Sequence, residues 1–154
     1  MSYNVTEFDF GEILLIRKNT LYSYLYIYSF DEEVDLLNTY TLGIDIGSTT
    51  VKIAILDENE NLLFADYERH FANIQETLAD LLEKAQNQLG EMKLSPVITG
   101  SGGLTLANHL EIPFVQEVIA VSTSLQKIAP QTDVAIELGG EDAKIIYFEG
   151  GNIE

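Results

Sequence analysis

One segment occurs twice in this chain, in register and without a gap. Leu42-Gly43-Ile44-Asp45-Ile46-Gly47-Ser48-Thr49-Thr50-Val51-Lys52-Ile53 lies over Val134-Ala135-Ile136-Glu137-Leu138-Gly139-Gly140-Glu141-Asp142-Ala143-Lys144-Ile145 at a constant offset of 92 residues. Acid meets acid at Asp45 and Glu137, Gly47 meets Gly139, and Lys52 meets Lys144. A period of this length is too long for a solenoid repeat and implies duplicated domains. In each copy an apolar strand ends in an acid, a Gly-containing turn follows, and an alternating strand leads away.

That pattern suits phosphate binding. A Gly turn lets backbone N–H groups come close to an anion. The hydroxyls of Ser48, Thr49 and Thr50 add donors without bulk. A carboxylate is wrong for direct phosphate contact but right for holding Mg²⁺ through its water shell. A single acid–x–Gly copy reads better as a tight hairpin whose acid caps the turn. Two copies in register, each between a buried and an amphipathic strand, favour phosphate binding, with two facing copies gripping a triphosphate from both sides.

The intervening sequence alternates strands and helices. Strands are expected at Thr41–Ile46, Thr50–Leu56 and Leu62–Tyr67, with a turn at Asp57-Glu58-Asn59-Glu60-Asn61. The short links make these three an antiparallel meander. Asn73 is the expected N-cap of a helix whose stripe is Ile74, Leu78, Leu81, Leu82, Ala85 and Leu89, ending at Gly90. Pro96–Thr99 reads as a strand, Leu104–Leu110 as a helix, Ile112–Val115 as a strand and Glu117–Ala129 as a helix stopped by Pro130. Val134–Leu138 and Ala143–Phe148 form the closing hairpin, and Gly150-Gly151 starts the next turn. The fold class is α/β, a mixed sheet flanked by helices followed by the first hairpin of a second such domain.

Residues 1–39 read differently. Tyr22, Tyr24, Tyr26 and Tyr28 alternate with other residues at period two, before an acid cluster at Asp31-Glu32-Glu33 and Asp35. A binding face, an ordinary sheet face and a segment preceding the true domain all fit. The domain boundaries follow: an extension over 1–39, a first domain over 40–130, and the truncated start of a second over 131–154.

Composition removes several function classes. The chain of 154 residues carries 25 acids and 8 bases, a formal charge of −17. Nucleic-acid and anionic membrane partners both require clustered cations, so neither is expected. No apolar stretch approaches the ~20 residues of a spanning helix, no secretory signal is visible, and the expected compartment is the cytoplasm. With no cysteine, the chain itself supplies no disulfide and no thiolate ligand.

Gly100-Ser101-Gly102-Gly103 follows a strand and opens a helix, which fits an anion site or a packing turn equally. No Walker A pattern is present, since no Gly is followed by Lys. His70 and His109 lack a ligand cluster and read as surface or satisfied histidines.

The two hairpins resemble the phosphate motifs of the actin/Hsp70/sugar-kinase superfamily, whose ATPase domains have a ribonuclease-H-like fold. The wording of Leu42–Lys52 and Glu137–Lys144, with Thr99-Gly100-Ser101-Gly102-Gly103 and Phe114–Ala120, is similar to the BadF/BadG/BcrA/BcrD-type ATPases. These activate 2-hydroxyacyl-CoA dehydratases and are related to ATPase subunits of benzoyl-CoA reductase. The resemblance runs from Tyr40 to Glu154, and the second motif is its specific part. It implies an activase that couples ATP hydrolysis to electron transfer to a dehydratase or reductase partner, as a homodimer with a bridging [4Fe–4S] cluster. By that resemblance Asp45 and Glu137 organise Mg²⁺ and the attacking water as metal-binding and catalytic acids. Gly47, Ser48, Thr49, Thr50, Gly139 and Gly140 hold the ATP phosphates, with Lys52 and Asp142 as neighbours.

Three departures limit the reading. Ala120 stands where the small activators carry a cluster cysteine, and the sequence stops at Glu154 before the other. Glu137 replaces the usual Asp, a difference of one methylene. The adenosine-binding part of the second domain is also missing, so this fragment is expected to be inactive alone. A sugar- or acetate-kinase-like phosphotransferase domain and a non-catalytic assembly module are the alternative readings.

Overall fold

The computed structural model describes residues 14–16, 38–139, 143–149 and 152–153. The elements run β1 (Leu14–Ile16), β2 (Thr39–Ile46), β3 (Thr50–Leu56), β4 (Leu62–Arg69), α1 (Ile74–Leu89), β5 (Met92–Thr99), α2 (Gly103–Leu110), α3 (Glu117–Ile128), β6 (Val134–Leu138), β7 (Ala143–Glu149) and β8 (Asn152–Ile153). Two sheets result, one of five strands in the order β1-β5-β2-β3-β4 and one of three in the order β6-β7-β8. The expected tyrosine alternation at Tyr22–Tyr28 and the turn at Gly150-Gly151 lie outside the described residues.

The five-stranded sheet is mixed. β2, β3 and β4 form the antiparallel meander, and β5 returns parallel to β2 after the α1 crossover. β1 adds an antiparallel edge, pairing Leu14 with Leu94 and Ile16 with Met92. One face of the sheet is apolar because strand side chains alternate. Leu42, Ile44 and Ile46 of β2 are buried with Val51, Ile53 and Ile55 of β3. The α1 stripe of Leu78, Leu81, Leu82 and Ala85 joins the same core, as do Ile98 and Ala107. The 3.6-residue period of α1 is thus matched to a period-two face, which is the basic α/β layer contact.

Several boundaries differ from expectation. β5 begins four residues earlier than Pro96, at Met92. Proline is tolerated inside it because, among the described residues, β1 pairs only with Met92–Leu94 and no strand lies opposite Pro96 on that side. The expected strand over Ile112–Val115 shrinks to a single parallel bridge between Phe114 and Ile98. Ile98 N–H donates to Pro113 O and Val115 N–H to Ile98 O, both at 2.9 Å. Pro113 has no N–H to continue the ladder, and α3 starts two residues after Val115. Asn73 occupies the N-cap position of α1, but its side chain makes no capping bond. Its carbonyl instead accepts Thr77 N–H and Thr77 Oγ1–H.

Candidate functional site

The first hairpin pairs Asp45 with Lys52, and the second pairs Glu137 with Lys144. Every paired position in β6–β7 is the corresponding β2–β3 pair moved by 92 residues on both strands. The repeat is therefore one of register and of strand face, as well as of letters. Gly140 and Asp142 of the second turn lie outside the described residues. Asp45 and Glu137 belong to different sheets.

Asp45 lies on the face of the sheet opposite the core. In register, Thr99 of β5, Asp45 of β2, Lys52 of β3 and Tyr67 of β4 form one row across the sheet. Lys52 Nζ donates to Asp45 Oδ2 at 2.6 Å. Asp45 Oδ1 is buried with no hydrogen-bond partner, and so is Thr99 Oγ1 on the neighbouring strand. A buried carboxylate oxygen left unbonded is costly in a finished structure. Its presence beside a second orphaned oxygen fits a position that receives a water or a hydrated cation. Among the described residues, no group of three or more His, Asp or Glu side chains forms a metal cluster. The donor set therefore suits Mg²⁺ held through water and phosphate oxygens rather than an all-protein cage.

The turn after Asp45 is built from its own backbone. Gly47 N–H donates to Thr50 O at 2.9 Å, which closes the hairpin. The N–H groups of Ser48 and Thr49 have no backbone acceptor among the described residues, so two amides and the Ser48 and Thr49 hydroxyls remain for an anion. A side chain at Gly47 would meet only Thr50 O and Thr50 Oγ1, at 3.5 and 3.6 Å. Internal packing therefore does not require glycine there.

Gly100-Ser101-Gly102-Gly103 closes against this hairpin for a packing reason. Gly100 has φ +96, and a Cβ there would lie 2.3 Å from Ile46 O and 2.5 Å from Asp45 Oδ1. A Cβ on Gly103 would lie 2.6 Å from Ile98 Cγ2. Gly102 N–H donates to Ile46 O at 2.8 Å. The glycines bring the start of α2 onto the end of β2 at the candidate site.

The second hairpin repeats the pairing with a changed partner. Lys144 forms an ion pair with Glu117 at the start of α3. Its Nζ is 4.0 Å from Glu137 Oε2, close enough for charge attraction but too far for a hydrogen bond. Glu137 Oε2 is buried and lacks a hydrogen-bond partner. Both repeat acids thus keep one carboxylate oxygen unbonded. Glu117, which sequence reading did not assign to the site, is paired with Lys144.

His70 is the other residue that sequence reading passed over. It is a satisfied histidine as expected, but it sits against the first turn, with Nε2 3.3 Å from Gly47 O. Its own N–H donates to Thr49 O at 3.1 Å. The loop between β4 and α1 brings it there, and no local spacing signals the contact.

A mixed sheet with an acid–x–Gly hairpin at its centre, an α/β crossover and a second copy of the hairpin in register define an actin-like ATPase fold. Within that fold the chain is similar to activators of 2-hydroxyacyl-CoA dehydratases. It is 26% identical over 120 residues to the (R)-2-hydroxyglutaryl-CoA dehydratase activating ATPase of Acidaminococcus fermentans, covering 76% of this chain and 45% of the relative. Component A of that dehydratase superposes with a TM-score of 0.61 at 25% identity, over 75% of this chain and 45% of that one. The activator of the 2-hydroxyisocaproyl-CoA dehydratase from Clostridium difficile, solved with bound ADPNP, gives a TM-score of 0.58 at 27% identity, over 74% and 43%. The chain spans less than half the length of these relatives. No family model matches it. Among the described residues no helix is long and apolar enough to cross a membrane.

Proposed function

We propose that this chain is the ATP-binding portion of an activase that couples ATP hydrolysis to electron transfer to a 2-hydroxyacyl-CoA dehydratase or a related reductase. The observation that carries the reading is the in-register duplication of the acid–x–Gly hairpin, each acid retaining an unbonded, buried oxygen. The relatives with the same architecture are activators of such dehydratases, and one was solved with the ATP analogue ADPNP. Asp45 and Glu137 would hold Mg²⁺ through its water shell, and the ion would supply charge neutralisation at the β- and γ-phosphates. Ser48, Thr49 and Thr50 with Gly47, and Gly139 with Gly140, would cradle the phosphates. Lys52 keeps Asp45 oriented through its 2.6 Å contact and offsets part of the chain's negative charge, with Asp142 as a further neighbour in the second turn.

A [4Fe–4S] cluster does not fit the residues present, because the chain has no cysteine. Electron transfer, the dehydratase partner and homodimer formation are therefore proposed for a whole protein of the relatives' length. The residues present would bind Mg-nucleotide at the first half-site without turning it over at a useful rate. Calorimetric titration of the chain with Mg-ADPNP tests this. Saturable binding that Asp45→Ala abolishes is the expected result. Binding unaffected by Asp45→Ala would remove the site from this hairpin, and turnover comparable to an intact activator would contradict the half-site reading.

A further inference from the structure

His70 is buried at 8% exposure, and both of its ring nitrogens are engaged. Ala72 N–H donates to Nδ1 at 3.0 Å. A nitrogen that accepts an amide proton carries a lone pair, so the ring proton is on Nε2. That nitrogen faces Gly47 O at 3.3 Å and is the donor. The backbone reinforces the position, because His70 N–H donates to Thr49 O at 3.1 Å and His70 O accepts Asn73 N–H at 2.6 Å. The two residues that follow carry left-handed backbone without being glycine, Phe71 at φ 44 and Ala72 at φ 70. Consecutive left-handed non-glycine residues are strained and persist only where surrounding contacts hold them. Here the strained pair delivers Ala72 N–H to Nδ1, which in turn aims Nε2–H at the turn.

The consequence falls on the anion turn. In a closed two-residue hairpin, Gly47 O would accept from Thr50 N–H to complement the Gly47 N–H to Thr50 O bond. That second bond is not formed, and His70 is the donor at Gly47 O instead. The Gly47 carbonyl is thereby turned to His70 instead of Thr50, next to the Ser48 and Thr49 amides, which have no backbone partners among the described residues.

We propose that His70 is a positioning residue for this turn, its Nε2–H holding the Gly47 carbonyl so that the Ser48–Thr49 peptides keep one fixed conformation in which a phosphate can be bound. The inference rests on the phosphate-site reading of the first hairpin for its ligand, but not for its geometry. Glutamine places an N–H₂ donor where Nε2–H lies. Asparagine places an acceptor where Nδ1 lies and reaches no further. His70→Gln and His70→Asn therefore separate bracing of the turn from support of the Phe71–Ala72 loop.

Long-range ¹H–¹⁵N NMR on the wild-type chain reads the tautomer directly, and amide shifts and exchange of Gly47–Thr50 in both variants read the turn without nucleotide. Titration with Mg-ADPNP reads its effect on affinity. Protonated Nε2, turn amides disturbed in His70→Asn and restored in His70→Gln, and about tenfold weaker binding in His70→Asn alone are expected. An Nδ1–H tautomer, or equal behaviour of the two variants at the turn, would overturn the proposal. If the wild-type chain binds no Mg-ADPNP, the phosphate reading fails, and the tautomer and amide data still decide whether His70 sets the turn.

Discussion

Lys52 Nζ lies 2.6 Å from Asp45 Oδ2, directly across the first hairpin. The lysine is half exposed and the carboxylate largely covered, so the pair contributes little to stability, about 0–1 kcal/mol. Its proposed role is at the site, where it would bring positive charge beside the proposed phosphate turn of a chain with formal charge −17. Lys52→Met should leave the thermal midpoint nearly unchanged and weaken Mg-ADPNP binding about tenfold, the scale of one charge-assisted contact. Calorimetry paired with a melting curve checks both halves. An unchanged affinity would remove Lys52 from the site.

Two glycines near Asp45 should respond oppositely to alanine. At Gly47 the added methyl meets only ordinary contacts within the chain. Gly47→Ala should keep stability within about 1 kcal/mol while crowding the place where a phosphate approaches, with about a tenfold loss of affinity. At Gly100 the methyl would overlap Ile46 O at 2.3 Å on left-handed backbone. Gly100→Ala should therefore cost roughly 2–5 kcal/mol of folding stability. Urea titration of both variants with nucleotide binding of the first distinguishes the roles. A strongly destabilised Gly47→Ala would mean that glycine is there for the fold.

The Asp57–Asn61 turn gives a pH prediction. Asp57 accepts Asn61 Nδ2–H at 2.9 Å and the Asn61 and Asn59 N–H groups at 2.8 Å. The Asn61 side chain, then its backbone N–H, hold the Asp57 carboxyl below its ordinary value. A carboxyl depressed in the folded state adds stability that is present above its unfolded value and lost as pH falls through the folded one. Stability should therefore fall below about pH 4, and Asp57→Asn should make that acid limb shallower. Melting temperatures of both proteins across the acid range measure it. Superimposable slopes would show that Asp57 is not a source of the acid sensitivity.

The hairpins were legible in the sequence because their signals are local. Alternation, an acid and a Gly turn occupy twelve consecutive residues in each copy, and α1 announces its stripe within sixteen. What was not legible depends on register between distant segments. Thr99 joins Asp45 only through the parallel pairing of β5 with β2. His70 reaches Gly47 only because β4 ends beside the turn. Glu117 takes Lys144 from α3, an element separate in sequence from the hairpin. The Ile112–Val115 expectation erred for the opposite reason, since four apolar-rich residues satisfy a strand pattern without the unbroken N–H ladder that Pro113 denies them.

The repeat makes its sharpest prediction where the two copies differ. Leu42, Ile44, Ile46, Ile53 and Ile55 are buried in one core with the α1 stripe, while their counterparts Val134, Ile136, Leu138, Ile145 and Tyr147 are exposed. Ile44 is 3% exposed and Ile136 64%, although the two stand at the same position of the same hairpin. Ile44→Ser should remove a packed side chain and bury a hydroxyl, costing about 3–5 kcal/mol and unfolding much of the chain. Ile136→Ser should change stability by no more than about 0.5 kcal/mol and reduce the fluorescence of a dye that binds exposed apolar surface. Chemical denaturation and dye binding on the two variants make the comparison. Equal destabilisation would mean that the outer face of the second hairpin is covered in solution, and the apolar surface that separates the two copies would then have to be sought elsewhere.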